Sequence, residues 1–163
     1  MLETPALLLH PWQASPLGSV HIRQRTVLDA TTGEPLGFVG ERARSRWLRW
    51  LTRKVLQVYE TEDASLLCSI FCPWGWIRSW EVYDADDHPV GTYRGNLLSN
   101  RWNRHCAVVQ RGPDGSQRFV NTDGLELASL TRANGELLLS FAGVIEGEPF
   151  ARMLLLAGAL TFG

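Results

Sequence analysis

Cysteine is scarce. Cys68, Cys72 and Cys106 are the three in 163 residues, too few and too irregularly spaced for a disulfide framework, so a reducing cytoplasm is the expected compartment. Lysine is scarcer still: Lys54 stands alone among 16 basic residues, the other 15 being Arg, a skew that carries no functional weight by itself. Neither sign of charge prevails, because 16 basic and 17 acidic side chains leave a formal net charge of -1. That balance argues against a general nucleic-acid binder, so no nucleic-acid partner is expected, and it leaves room only for a local basic patch. No run of 18 uncharged apolar residues occurs, so no conventional spanning helix is expected. The first twelve residues contain Ala6-Leu7-Leu8-Leu9 but lack a basic n-region, and the run is too short for a secretory signal.

Recognisable catalytic motifs are also missing. There is no G-x-S-x-G or comparable nucleophile elbow, and His10, His21, His88 and His105 are isolated, without metal-ligand spacing. Asp84, Asp86 and Asp87 could gather a cation, but the same residues are what a tight hairpin turn uses. Cys68 and Cys72 share parity; on one strand their Cα atoms would lie roughly 13 Å apart, beyond disulfide reach, which makes them small buried apolar groups. The expectation is a non-enzyme with no catalytic residues, no metal and no cofactor.

What the chain does contain is a series of hairpins. Hydrophobic residues at 45% and charged residues at 20% fit an ordinary folded domain, and 15 Gly with eight Pro imply many turns. Five units repeat one pattern, a β-prone run, an Asp or Asn with turn formers, then a second β-prone run. Their turns fall at Thr31-Thr32-Gly33, Glu62-Asp63-Ala64, Asp86-Asp87-His88, Pro113-Asp114-Gly115 and Asn134-Gly135. Five hairpins mean about ten strands, which one domain must curl into a sandwich or barrel to hide its edges. Two segments break the pattern: Glu41 to Lys54, and the tail from Pro149 to Gly163. The tail reads as a helix starting at Pro149, apolar on every side except Arg152, and such a helix must be buried. Its ~21 Å length is short of a ~30 Å hydrocarbon slab, so protein is the better burial site. Gly158 within it suggests a strand backbone at close approach.

The serial units Val58-Tyr59-Glu60-Thr61-Glu62-Asp63, Trp80-Glu81-Val82-Tyr83-Asp84-Ala85-Asp86 and Leu130-Thr131-Arg132-Ala133-Asn134-Gly135 carry a family resemblance, together with the terminal Phe150-Ala151-Arg152-Met153-Leu154-Leu155-Leu156-Ala157. In these the chain resembles the tubby C-terminal-like superfamily, in particular its phospholipid scramblase and LURP-one-related branch. The resemblance implies a closed antiparallel β-barrel of about 10–12 strands around a hydrophobic C-terminal α-helix, spanning residues 20–163 with the helix at 149–162. Residues 1–19 are expected as an N-terminal extension or edge strand. If twelve strands are present, the two beyond the hairpin count lie in Pro5 to Trp12 and Leu97 to Arg104. The scramblase features of a proline-rich N-terminal region, a multi-cysteine palmitoylation segment and a calcium-binding stretch have no counterpart here; Glu146-Gly147-Glu148 is not a D-x-D-x-D-G loop.

The sharpest functional signal lies between Arg42 and Lys54, with Arg42, Arg44, Arg46, Trp47, Arg49, Trp50, Arg53 and Lys54 as candidate lipid-binding residues. On a helical wheel Trp47, Leu48, Leu51 and Val55 share one face, while Arg46, Arg49 and Arg53 take the other. Two readings stand. The arginines grip the headgroups of an anionic phospholipid or phosphoinositide membrane surface, or the segment is a side helix that packs its apolar face on the barrel. The corresponding functions are a lipid-binding domain or peripheral membrane adaptor in the cytoplasm, and a lipid-independent module that binds a protein partner. Phospholipid scrambling itself is a third, and requires the terminal helix to leave the barrel.

Overall fold

The computed structural model describes residues 1–15, 21–42, 52–61, 64–74 and 79–162. The strands are β1 (Ala6–Leu9), β2 (Gln13–Ala14), β3 (His21–Asp29), β4 (Pro35–Arg42), β5 (Thr52–Glu60), β6 (Leu66–Pro73) and β7 (Ser79–Asp84). They continue as β8 (Pro89–Arg94), β9 (Leu97–Asn100), β10 (His105–Arg111), β11 (Gln117–Val120), β12 (Glu126–Ala133) and β13 (Glu136–Phe141), followed by helix α1 (Pro149–Phe162).

Each strand from β3 to β13 pairs antiparallel with the next, and β1 closes the ring by pairing with β13 on one side and β3 on the other. Among the described residues this makes a closed barrel of twelve strands, and the two-residue β2 extends the β1 side of β3. The two strands that the hairpin count missed, β1 and β9, lie within Pro5 to Trp12 and Leu97 to Arg104. One boundary needs correction. The N-terminal segment is a stave of the barrel with hydrogen-bonded neighbours on both flanks, rather than an extension or an edge strand. Leu7 and Leu9 are fully buried, and without them the ring would present two open edges.

Alternation sends Val27, Val39, Leu56, Val58, Ile70, Leu98 and Leu139 into the lumen, all fully buried. The lumen is filled by α1, where Met153, Leu154, Leu155, Leu156, Ala157, Ala159 and Leu160 are buried all round the helix. Arg152 near its start is also buried: Nε donates to the Ile145 carbonyl at 3.2 Å and Nη1 to the Leu2 carbonyl at 2.6 Å, with the Phe141 ring 5.1 Å from the guanidinium carbon. The partner at Gly158 differs from expectation. A Cβ there would come within 2.9 Å of the Phe119 ring edge, so a side chain, not a strand backbone, claims the space.

The hairpin turns share one device. Asp84 Oδ1 accepts from the backbone N–H of Asp86 and His88, Asn100 Oδ1 from Trp102 and Arg104, and Asn121 Oδ1 from Asp123 and Leu125. A short polar side chain at a strand end thus satisfies turn donors that would otherwise face water alone. Of the Asp residues read from sequence as turn formers, Asp84 does that work, and Asp114 Oδ1 accepts from the Ser116 N–H in its own turn.

Candidate functional site

Strand direction sorts the charges. At one mouth of the barrel β3, β5, β7, β9, β11 and β13 begin and the even strands from β4 end; α1 enters at the opposite mouth. Around the first mouth lie Arg23, Arg25, Arg42, Lys54, Arg94, Arg111, Arg118 and Arg132, against Glu41, Glu81, Asp114 and Glu136. Around the second lie Glu3, Asp29, Glu34, Glu60, Asp84, Asp86, Asp87, Asp123, Glu126, Glu146 and Glu148, against Arg101, Arg104 and Arg152. A net charge near zero therefore conceals a basic mouth and an acidic mouth. Arg42, Arg94, Arg111, Arg118 and Arg132 are exposed, so the basic field faces solvent.

Inside the basic mouth the side chains converge on one indole. Parity on β3, β4 and β5 points Arg23, Arg25, Glu41 and Lys54 inward, on the side that buries Val27, Val39 and Leu56. The guanidinium carbons of Arg23 and Arg25 lie 4.9 and 5.1 Å from the Trp12 ring centroid, and Lys54 Nζ lies 5.5 Å from it. Glu41 answers two of these cations, taking Arg23 Nε at 2.6 Å and Lys54 Nζ at 3.5 Å. Arg25 is only 4% exposed, and its buried Nε and Nη1 have no hydrogen-bond partner. Burial, then the nearby Arg132 and Arg23, push the Arg25 guanidinium below its ordinary pKa. Burial likewise lowers Lys54, although Glu41 pulls it back up. The arrangement can receive an anion.

Of the residues singled out from sequence, Lys54 belongs to this cluster and Arg42 stands exposed at the end of β4. Arg53 lies in β5, while Arg44, Arg46, Trp47, Arg49 and Trp50 fall outside the described residues. The break in the β pattern is shorter than expected: Glu41 and Arg42 complete β4 and Thr52, Arg53 and Lys54 open β5, so the helical wheel that included Arg53 and Val55 does not apply to them. Ladder bonds to neighbouring strands override the helical periodicity there. Trp12, Arg23 and Arg25 escaped the sequence reading because each is isolated in the chain. The available signal was two arginines at alternate positions, Arg23 and Arg25, on the strand face that continues to Val27.

The histidines have structural surroundings. His21 packs edge-on against Phe38 and Tyr59, His105 Nδ1 lies 3.0 Å from Ser99 Oγ, and His10 and His88 lie 3.5 and 3.6 Å from Glu136 and Asp84. Cys68 is fully buried, and burial pushes its thiol up to about 12. At the acidic mouth a cavity of about 610 Å³ opens between α1 and the β7–β8 and β9–β10 turns, with Val90, Leu154 and Cys106 in its wall. Trp102 and Phe150 line it and are 64% and 53% exposed.

An X-ray structure of an Arabidopsis thaliana protein, AT5G01750, matches this chain with a TM-score of 0.55 at 12% identity, covering 97% of this chain and 93% of that one. The likeness is one of fold. No protein-family model and no curated protein matches the chain. Among the described residues no helix is long and apolar enough to cross a membrane.

Proposed function

We propose that this protein is a non-enzymatic barrel domain of the scramblase and LURP-one-related type that binds anionic phospholipid headgroups through its basic mouth and acts as a peripheral membrane adaptor in the cytoplasm. The observation that carries the reading is the segregation of charge, because a domain of net charge -1 has no need of a basic end unless that end meets something anionic. Five exposed arginines, at ~1 kcal/mol for each cation near an anionic surface, supply on the order of 5 kcal/mol, a sub-millimolar attachment. In the sequence, the segment between β4 and β5 holds Arg44, Arg46 and Arg49 and no acid. A second reading, a lipid-independent protein-interaction module, is favoured by the apolar cavity with its exposed Trp102 and Phe150.

Co-sedimentation with vesicles of varied anionic lipid content and salt separates the two. Binding through the mouth should rise with anionic lipid, fall with salt, and weaken at least tenfold when Arg42, Arg94 and Arg118 are changed to Glu. The thermal melt should barely move, since exposed charges contribute little to stability. Changing Asp86 and Asp123 to Arg at the acidic mouth should not weaken binding. Absence of vesicle binding by the parent at low salt refutes the lipid reading.

A further inference from the structure

The geometry points to a discrete site for a phosphate monoester group, formed by Arg25 with Arg23, Lys54 and the Trp12 ring. This rests on the reading of the basic mouth as anion-facing and assigns the ligand class within it. The diffuse charge of the rim explains attraction but not the buried arginine. A guanidinium carries five N–H donors, and Arg25 leaves Nε and Nη1 unused where water does not reach them, an arrangement that costs stability unless an acceptor arrives. Glu41, the carboxylate of this cluster, meets Arg23 at 2.6 Å and Lys54 at 3.5 Å through its Oε2 and leaves Arg25 Nε and Nη1 unmatched.

Charge fixes the kind of acceptor. Three cations around Trp12 against one carboxylate leave a surplus of two positive charges. A phosphate monoester carries about -1.5 to -2 near neutral pH, whereas a diester carries a single negative charge. Its three free oxygens also match several donors at once, and arginine is the side chain best suited to that geometry. The cluster is graded for entry: the side chains of Arg23 and Lys54 are 44% and 26% exposed while Arg25 lies deepest. The monoester could be a lipid headgroup or a free phosphate, and both share this chemistry.

The test has two arms. In the first, melting is followed with added inorganic phosphate against chloride at matched ionic strength. The parent should be stabilised saturably by phosphate. Arg25→Met should melt at or above the parent in chloride, because it removes an unpaired buried cation, and should lose the response to phosphate. Lys54→Met should weaken the apparent phosphate affinity at least tenfold, which keeps the test decisive if Arg25→Met fails to fold. An unresponsive parent, or variants that respond like it, overturns the site. In the second arm, vesicles of phosphatidic acid, a monoester, are compared with phosphatidylglycerol, a diester, at equal surface charge. At least tenfold tighter binding to the monoester that disappears in Arg25→Met identifies a lipid source. Phosphate stabilisation with no preference between vesicles identifies a soluble one. Vesicle binding that is equal for both lipids and unaffected by Arg25→Met, with no phosphate response, overturns the site while leaving the membrane reading intact; a phosphate response without any vesicle binding does the reverse.

Discussion

Replacing Leu156 by Ala probes the central claim about the fold, that α1 is the core of the barrel. Leu156 is fully buried within the lumen. Leu to Ala in cores costs about 2.7 to 5.0 kcal/mol, the larger values arising where the surroundings cannot collapse into the cavity. Every wall strand around α1 is hydrogen-bonded to neighbours on both sides, so the wall cannot move inward without breaking ladder bonds. The expected loss is therefore about 4 to 5 kcal/mol, a large part of the ~5 to 15 kcal/mol that holds an ordinary domain together. At about 2 to 4 °C per kcal/mol for a chain of this size, the melting midpoint should fall by roughly 8 to 20 °C. Urea titration followed by tryptophan fluorescence should show a lower midpoint with an unchanged slope, since the denatured state is not altered. Phe150→Ala is the internal control: this residue is 53% exposed at the start of the same helix and should cost much less. A loss below about 2 kcal/mol for Leu156→Ala, or equal losses for both variants, would refute an enclosed helix.

Gly91→Ala should unfold or severely weaken the barrel, because the new Cβ would collide with the Ser99 carbonyl oxygen across the β8–β9 ladder and press on the Leu154 methyls; a melt like that of the parent would show that helix and wall are not in close contact there. Alkaline pH should also destabilise the fold through Cys68. Its folded-state pKa of about 12 stands above the ordinary 9.0, so this thiol's stabilising effect is complete below pH 9 and is lost as pH rises from 9 to 12. The slope should approach about 1.4 kcal/mol per pH unit, and Cys68→Ala should make the profile shallower between pH 9 and 10, leaving the contributions of Cys106, which burial also raises above 9.0, and of Tyr93, held near 12 against an ordinary 10.0. An identical alkaline limb in Cys68→Ala would exclude this cause.

Much of the fold is legible in local pattern. The Asp and Asn residues at Asp84, Asp114 and Asn134 mark turns because their short side chains or left-handed backbones suit tight reversals, a preference that needs no distant partner. The tail is readable for a similar reason: a run that is apolar on every face can only be inside something. β1 is less legible, since four residues, Ala6 to Leu9, are too few to show a period, and their role as the closing stave depends on β13 and β3, more than a hundred and about twenty positions away. The Arg42 to Lys54 segment shows the opposite failure, a helical periodicity at its ends that strand pairing overrides.

For the candidate site the division is sharper. Sequence alone determined that the chain is a hairpin-rich domain with a buried tail, that it holds no recognisable catalytic motif, and that its basic residues are concentrated near Arg42 to Lys54. It could not separate the charges into two mouths. That outcome depends on strand direction: alternate strand ends meet at the same rim, so Arg94, Arg118 and Arg132 become neighbours of one barrel opening although they are scattered along the chain. Nor could it bring Trp12, Arg23, Arg25, Glu41 and Lys54 around one ring. Three strands with a common inward parity do that, and the closed wall shields Arg25 from the water that would otherwise satisfy it. Local pattern fixes what most segments are, β1 and the ends of the Arg42 to Lys54 segment excepted; only closure of the barrel decides which side chains meet and which of them are left without a partner.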